Sequence, residues 1–187
     1  MRARKWVGLM VMVLLAGGGA AGATATAVKT APAGLDGRAT LARLKTLAGQ
    51  WRGHVVTEDG PAAEIVFSVT AGGSTVVEKL FPGTEHEMVS MYHLDGGDLV
   101  LTHYCGMGNQ PRMRLVQASG TDPLQLRFDF TGGANIDPAK DMHMHAGTLT
   151  LRGEDRLEAE WSVYDKGKPA GANRFFLGRV KATAERP

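Results

Sequence analysis

Between Gln50 and Ala182 the chain repeats one theme, a short segment in which apolar and polar side chains alternate, followed by a turn signal. The alternation is plainest in Ile65, Phe67 and Val69, in Leu124, Leu126, Phe128 and Phe130, in Leu149 and Leu151, and in Ala159, Trp161 and Val163. Arg127, Asp129, Glu158 and Glu160 occupy the opposite parity. A period of two places one dry and one wet face on each segment, which is the pattern of a half-buried β-strand. Asp59-Gly60-Pro61, Gly72-Gly73 and Gly96-Gly97 separate neighbouring segments. The pattern predicts ten strands, at 50–58, 62–71, 74–82, 86–95, 98–107, 111–119, 124–131, 145–153, 157–166 and 174–182. Short links favour antiparallel neighbours, and closing the sheet removes the exposed edges that an open one would leave. The expected fold is therefore all-β: a single antiparallel up-and-down barrel of about ten strands.

A different period precedes it. Leu41, Leu44 and Leu47 recur at helical spacing while Arg38, Arg43 and Lys45 lie off that stripe, and Gly49 is placed to end the helix in a left-handed cap. An isolated helix this short is marginal in water, so it is expected to pack on one end of the barrel. The longest irregular stretch, Gly132 to His143, contains Asp137-Pro138, which suits the start of one helical turn.

The first 27 residues read as an export leader. Met1-Arg2-Ala3-Arg4-Lys5 is basic, Trp6 to Ala16 is almost wholly apolar, and Ala23-Thr24-Ala25-Thr26-Ala27 supplies overlapping A-x-A cleavage sites. The apolar run gives way to Gly17-Gly18-Gly19, short of the roughly 20 residues a spanning helix needs, so no permanent membrane anchor is expected. The assignment is a signal peptide at 1–27, a flexible linker at 28–34 and one barrel domain at 35–187, destined for the periplasm or the extracellular space.

That leader also changes the charge. Taking Arg2, Arg4 and Lys5 from 21 basic residues leaves 18, against 19 acidic ones, so the net +2 belongs to the export signal. A nearly neutral domain offers no electrostatic footprint for nucleic acid. Cys105 is the only cysteine, so no intramolecular disulfide can form.

Candidate chemistry concentrates between His86 and Arg114. If Gly96-Gly97 makes a two-residue hairpin, Asp95 pairs with Asp98, Tyr92 with Leu101, Ser90 with His103 and Met88 with Cys105. His86, Met88, Ser90, Tyr92, His103 and Cys105 then share a face that Leu94, Leu99 and Leu101 extend, and this face is expected to point inward. Arg112 and Arg114 also share a face, either inward as a clamp for a ligand carboxylate or phosphate, or outward with Met113 and Leu115 inside. His103 with Cys105, and His143 with His145, are each two apart on a strand and suited in chemistry to zinc or copper. The alternative is that the histidines hydrogen-bond within a polar cavity. No Gly-x-Ser-x-Gly, His-Glu-x-x-His, Walker loop or Gly-x-Gly-x-x-Gly is present. Glu87, His93 and Tyr104 remain as acid–base candidates should they converge, and the sequence requires no cofactor.

At Leu47-Ala48-Gly49-Gln50-Trp51-Arg52-Gly53 the chain resembles the opening of calycin barrels, the lipocalins and their relatives, in which a short helix leads into a first strand bearing Gly-x-Trp. The resemblance implies that Trp51 closes the barrel floor and that Arg179, in Phe176-Leu177-Gly178-Arg179, covers it. From Phe81-Pro82-Gly83-Thr84-Glu85-His86 through His103-Tyr104-Cys105 and Asn109-Gln110-Pro111-Arg112-Met113 the chain looks like an uncharacterised family of bacterial secreted lipocalin-like proteins. That likeness covers most of the mature chain and implies the fold without an activity. The lipocalins' Thr-Asp-Tyr signature is missing. The haem-binding nitrobindin barrels, also similar, carry their haem histidine near the C-terminal strands, and here the last two predicted strands contain none. The expected function is binding of a small apolar or amphipathic molecule inside the barrel, without catalysis. Metal or haem binding through His103, Cys105, His143 or His145 is the alternative, and a barrel enzyme the third.

Overall fold

The structure, a computed structural model, describes residues 36–56 and 59–181. The leader and linker read at 1–27 and 28–34 lie outside these residues. One helix, α1 (Gly37–Lys45), precedes ten strands: β1 (Gly49–Val55), β2 (Ala62–Thr70), β3 (Thr75–Leu80), β4 (Met88–Asp95), β5 (Asp98–Tyr104), β6 (Gln110–Ser119), β7 (Leu124–Ala134), β8 (His143–Arg152), β9 (Arg156–Asp165) and β10 (Lys168–Arg179). Each strand pairs antiparallel with its neighbours in sequence and β1 pairs with β10, so the sheet closes as an up-and-down barrel. No described helix is long and apolar enough to cross a membrane.

The period-two pattern explains the core. Ile65 and Phe67, Val76 and Leu80, Leu99 and Leu101, Leu124, Leu126 and Phe128, Leu149 and Leu151 are all buried in one cluster. Their opposite-parity neighbours meet across the outside as ion pairs, with Arg52–Glu64 at 2.9 Å, Arg152–Glu158 at 2.6 Å and Arg174–Glu160 at 2.6 Å. These pairs are solvated and contribute little individually. The stabilisation comes from apolar burial, at roughly 1.5–3 kcal/mol for each large side chain.

The helix seals one end. Asp36 caps it, its Oδ1 accepting from the Ala39 amide at 2.7 Å. Leu41 and Leu44 on the helix, and Leu47 just beyond it, are buried in the core. Gly37 lets the first turn rest on the β4–β5 hairpin, since a Cβ there would stand 2.4 Å from the Gly97 carbonyl oxygen. The helix stops sooner than its stripe suggests. Thr46 is the C-cap, and Gly49, at φ +127°, opens β1 instead of ending α1.

Several strand boundaries also differ from the sequence reading: β1 ends at Val55, β3 at Leu80, β5 at Tyr104 and β10 at Arg179, each short of the expected end, while β7 runs on to Ala134. His86, expected in the fourth strand, precedes it, because β4 begins at Met88. β8 starts at His143, two residues early. β10 starts at Lys168 and runs through Pro169 and Gly171, where the register slips against β9. Proline and glycine read as a break in sequence, yet an irregular ladder is where a sheet tolerates them. Asp137-Pro138 forms a single turn in the 135–142 connection, with the Asp137 carbonyl accepting from the Lys140 and Asp141 amides.

Candidate functional site: a polar ladder inside an apolar barrel

Two tryptophans block the bore at different levels. At the helix end Trp51, 1 % exposed, donates its indole N–H to the Leu47 carbonyl at 2.8 Å. The Arg179 guanidinium lies 4.3 Å from its ring centroid and donates to the Thr46, Ala48 and Glu154 carbonyls. One side chain thus ties together the end of α1, the start of β1 and the β8–β9 turn, while its planar face stacks on the indole.

Deeper in the bore, Trp161 lies over the backbone of Gly147, its directly paired neighbour on β8. A Cβ on Gly147 would stand 2.3 Å from the Trp161 ring. The ring reaches across to His103 on β5, with centroids 6.1 Å apart and planes 25° from parallel.

His103 ends a short polar ladder across three strands. Glu78 on β3 pairs in register with Ser90 on β4, and Ser90 pairs with His103 on β5. All three are fully buried, as is Tyr92. Ser90 Oγ is 3.0 Å from His103 Nδ1, and the Tyr92 hydroxyl donates to Glu78 Oε2 at 2.6 Å. Tyr92 also packs edge-on against Phe128, at 5.6 Å.

Burial governs the charges here. Desolvation pushes the Glu78 carboxyl up to about 7, against the opposing hydrogen bond from Tyr92. Desolvation holds His103 down at about 4, so it is neutral near pH 7. Tyr92 is raised well above the phenol range by burial first and by Glu78 second.

Three buried polar atoms of this region have no hydrogen-bond partner in the protein: Glu78 Oε1, His103 Nε2 and Trp161 Nε1. An unsatisfied buried polar group costs about 1–3 kcal/mol. Together they leave an unused indole donor, an unused imidazole nitrogen and an unused carboxyl oxygen inside the barrel.

The sequence-predicted residues distribute as follows. The register read from Gly96-Gly97 is present in Asp95–Asp98, Tyr92–Leu101 and Ser90–His103. Ser90, Tyr92 and His103 face inward together. Met88 is half-buried against the core, and Cys105 follows β5 in a turn closed by the Gly108 amide on the Cys105 carbonyl. His86 is exposed in the 81–87 loop beside Glu85. Arg112 and Arg114 alternate with buried Pro111 and Met113 and so face outward, Arg114 paired with Asp98. They form no clamp inside the bore.

Among the described residues no three His, Cys, Asp or Glu side chains converge as metal ligands. His103, Cys105, His143 and His145 therefore do not make one site. His143 and His145 do meet each other, at the other end of the barrel. The three acid–base candidates are engaged separately: Glu87 accepts from the Gly83 amide at 2.7 Å, His93 Nδ1 is 3.2 Å from the Leu94 carbonyl oxygen, and Tyr104 is exposed. His54 points outward, its Nδ1 2.7 Å from the Gly60 carbonyl oxygen.

Sequence reasoning passed over Glu78 and Trp161 as site residues. Glu78 carries a visible signal, an acidic residue on the same parity as Val76 and Leu80. Trp161 carries none beyond its place in an apolar stripe. No protein-family model matches the chain, and no curated protein sequence matches it significantly.

Proposed function

We propose that the protein is an exported binding protein that holds a small, mainly apolar molecule in the barrel, with one polar group of that molecule meeting Glu78, His103 and Trp161. The observation that carries this reading is the trio of unpartnered buried atoms, Glu78 Oε1, His103 Nε2 and Trp161 Nε1. Fully apolar cores avoid such atoms, whereas ligand sites combine apolar walls with a few convergent polar groups. Export rests on the basic, apolar and A-x-A segments of residues 1–27.

The chemistry of the trio narrows the ligand. An indole N–H requires an acceptor and the imidazole Nε2 of a neutral His103 takes or gives one hydrogen bond according to its tautomer. Glu78, close to half-protonated near pH 7, disfavours a carboxylate ligand and tolerates a hydroxyl, carbonyl or amide. The ligand is therefore a neutral amphipathic molecule with one hydroxyl or carbonyl head.

Native mass spectrometry of the protein recovered from its own host tests this directly, by comparison with the denatured mass. An organic mass released on denaturation is expected, with its yield reduced in Trp161→Phe and Glu78→Gln. A clean mass, together with an apolar fluorescent probe that binds wild type and both variants equally, would overturn the reading.

A further inference from the structure

The barrel end that α1 covers carries a groove of its own. It has a volume of about 540 Å³ and runs between the helix on one side and the β2–β3 turn with the end of β4 on the other. Arg38 and Lys45 line it from the helix. Seven residues apart, they share one face of α1 at a separation of about 10.5 Å along the axis. Leu41, buried between them, and Leu94, packed on the core, supply the apolar part of the lining.

The β2–β3 turn builds the facing wall. Ala71, Gly72 and Gly73 all have positive φ, at 51°, 62° and 89°. This left-handed run curls the turn towards the helix, so that a Cβ at Gly73 would stand 3.9 Å from Lys45 Nζ. Gly72 and Gly73 put no side chain into the groove, and Thr75, paired directly with His93 on β4, adds a hydroxyl to it.

The balance of charge sets this groove apart. The concavities around Arg52, Arg174, Arg156 and Arg179 each contain a carboxylate as well, from Glu64, Glu160, Glu158 and Asp155 in turn. No carboxylate lines the groove beside α1. Arg38 and Lys45 make no ion pair among the described residues, whereas Arg52, Arg152 and Arg174 each hold a glutamate. Two unpaired cations in one concavity with apolar walls concentrate positive potential there.

We infer that this groove binds a phosphate group, held between Arg38 and Lys45 with the Thr75 hydroxyl as a further donor, and that the organic part of a phosphomonoester lies along Leu41 and Leu94. A phosphomonoester carries about −1.5 to −2 charge near pH 7 and three strong acceptor oxygens. It can therefore answer two cations at once, which the single charge of a carboxylate does not. The guanidinium fork takes two oxygens and the ammonium the third. The site shares no residue with the bore ligand proposed above and stands independently of it.

The test is a titration of the purified protein with inorganic phosphate and with glycerol 3-phosphate, followed at the Gly72, Gly73 and Ser74 amides by NMR. Sedimentation with phosphatidylcholine vesicles that contain or lack phosphatidic acid runs alongside it. Saturable shifts at these amides are expected, with affinity reduced roughly tenfold or more in Arg38→Gln and in Lys45→Gln. Lys168→Gln removes the same charge at the start of β10, the far end of the barrel, and should leave the affinity unchanged. Circular dichroism confirms that each variant remains folded. Co-sedimentation that requires phosphatidic acid and is competed by phosphate identifies a lipid headgroup as the source, and soluble binding without co-sedimentation identifies a free phosphate ester. Absence of both in wild type, or a loss in Lys168→Gln as large as in Arg38→Gln, would overturn the inference, and the former does so without any variant.

Discussion

The indole of Trp161 lies against the backbone of Gly147, close enough that any side chain at 147 would overlap it, with the first added carbon 2.3 Å from the ring. The contact is between directly paired residues of β8 and β9, so the register brings the two together. Gly147→Ala should therefore push the ring towards His103 and cost about 1–3 kcal/mol, the range for an overpacked core. Urea denaturation followed by tryptophan fluorescence measures it. A Gly147→Ala protein as stable as wild type, with an unshifted emission maximum, would show that the ring has room to move.

The buried acid and the buried base carry opposite pH dependences. The Glu78 carboxyl is raised from 4.5 to about 7, so the folded state holds its proton more tightly than the unfolded chain. That contribution is complete below pH 4.5 and is lost as pH rises to about 7. His103 is lowered from 6.5 to about 4, so its contribution is complete above pH 6.5 and is lost as pH falls to about 4. Each amounts to about 3 kcal/mol as an upper figure, and across the shared window they nearly cancel. Glu78→Gln should expose the histidine limb, with stability rising from pH 4 to 6.5, and His103→Gln the acid limb, falling from pH 4.5 to 7. Denaturation midpoints across pH 4–8, as variant minus wild type, isolate each slope. Two flat difference curves would contradict both assignments.

Removing the Tyr92 hydroxyl takes away the donor to Glu78 Oε2 while leaving the ring and its contact with Phe128. Tyr92→Phe should cost about 1–3 kcal/mol. Because that bond favours the charged carboxylate, the acid limb should also move to higher pH in this variant. The double variant Tyr92→Phe/Glu78→Gln should recover part of the loss if the two act as a pair, and a strictly additive result would separate them.

At the helix end, Arg179 makes three carbonyl bonds and one ring stack with a single side chain. Lysine has neither the fork nor the planar face. Arg179→Lys should lose about 2 kcal/mol and shift Trp51 fluorescence as water reaches its ring. Wild-type stability in this variant would mean that the backbone carbonyls are satisfied without the guanidinium.

The barrel was legible because its strands are half-buried: Ile65, Phe67 and Leu124, Leu126, Phe128 could be assigned to the core by parity alone, and Gly96-Gly97 gave the β4–β5 register. The site was only partly legible for the same reason. Parity placed Ser90, Tyr92 and His103 together, but Glu78 belongs to a strand two hairpins away from His103, and nothing in the one-dimensional spacing says that both reach the same level of the bore. Trp161 lies farther still along the chain, and its meeting with His103 depends on closure of the whole sheet. The ends of β8 and β10 were missed because bulges at Met144/Ala146 and Pro169/Gly171 interrupt the alternation where the ladder continues.

Closure between β1 and β10 also sets an order of events during synthesis. Every other strand pairs with its immediate neighbour in sequence, so those hairpins can form as they emerge. The seam cannot, since Arg179 and the Ala48 carbonyl it clasps are 131 residues apart in the chain. Until the last strand is made, β1 offers a free edge and Trp51 lacks its cover. Contacts of such long range form slowly, because chain entropy is lost before they reward it. A chain that lacks its last strand is thus an open sheet with two free edges, and β10 is the strand that converts it into a closed body.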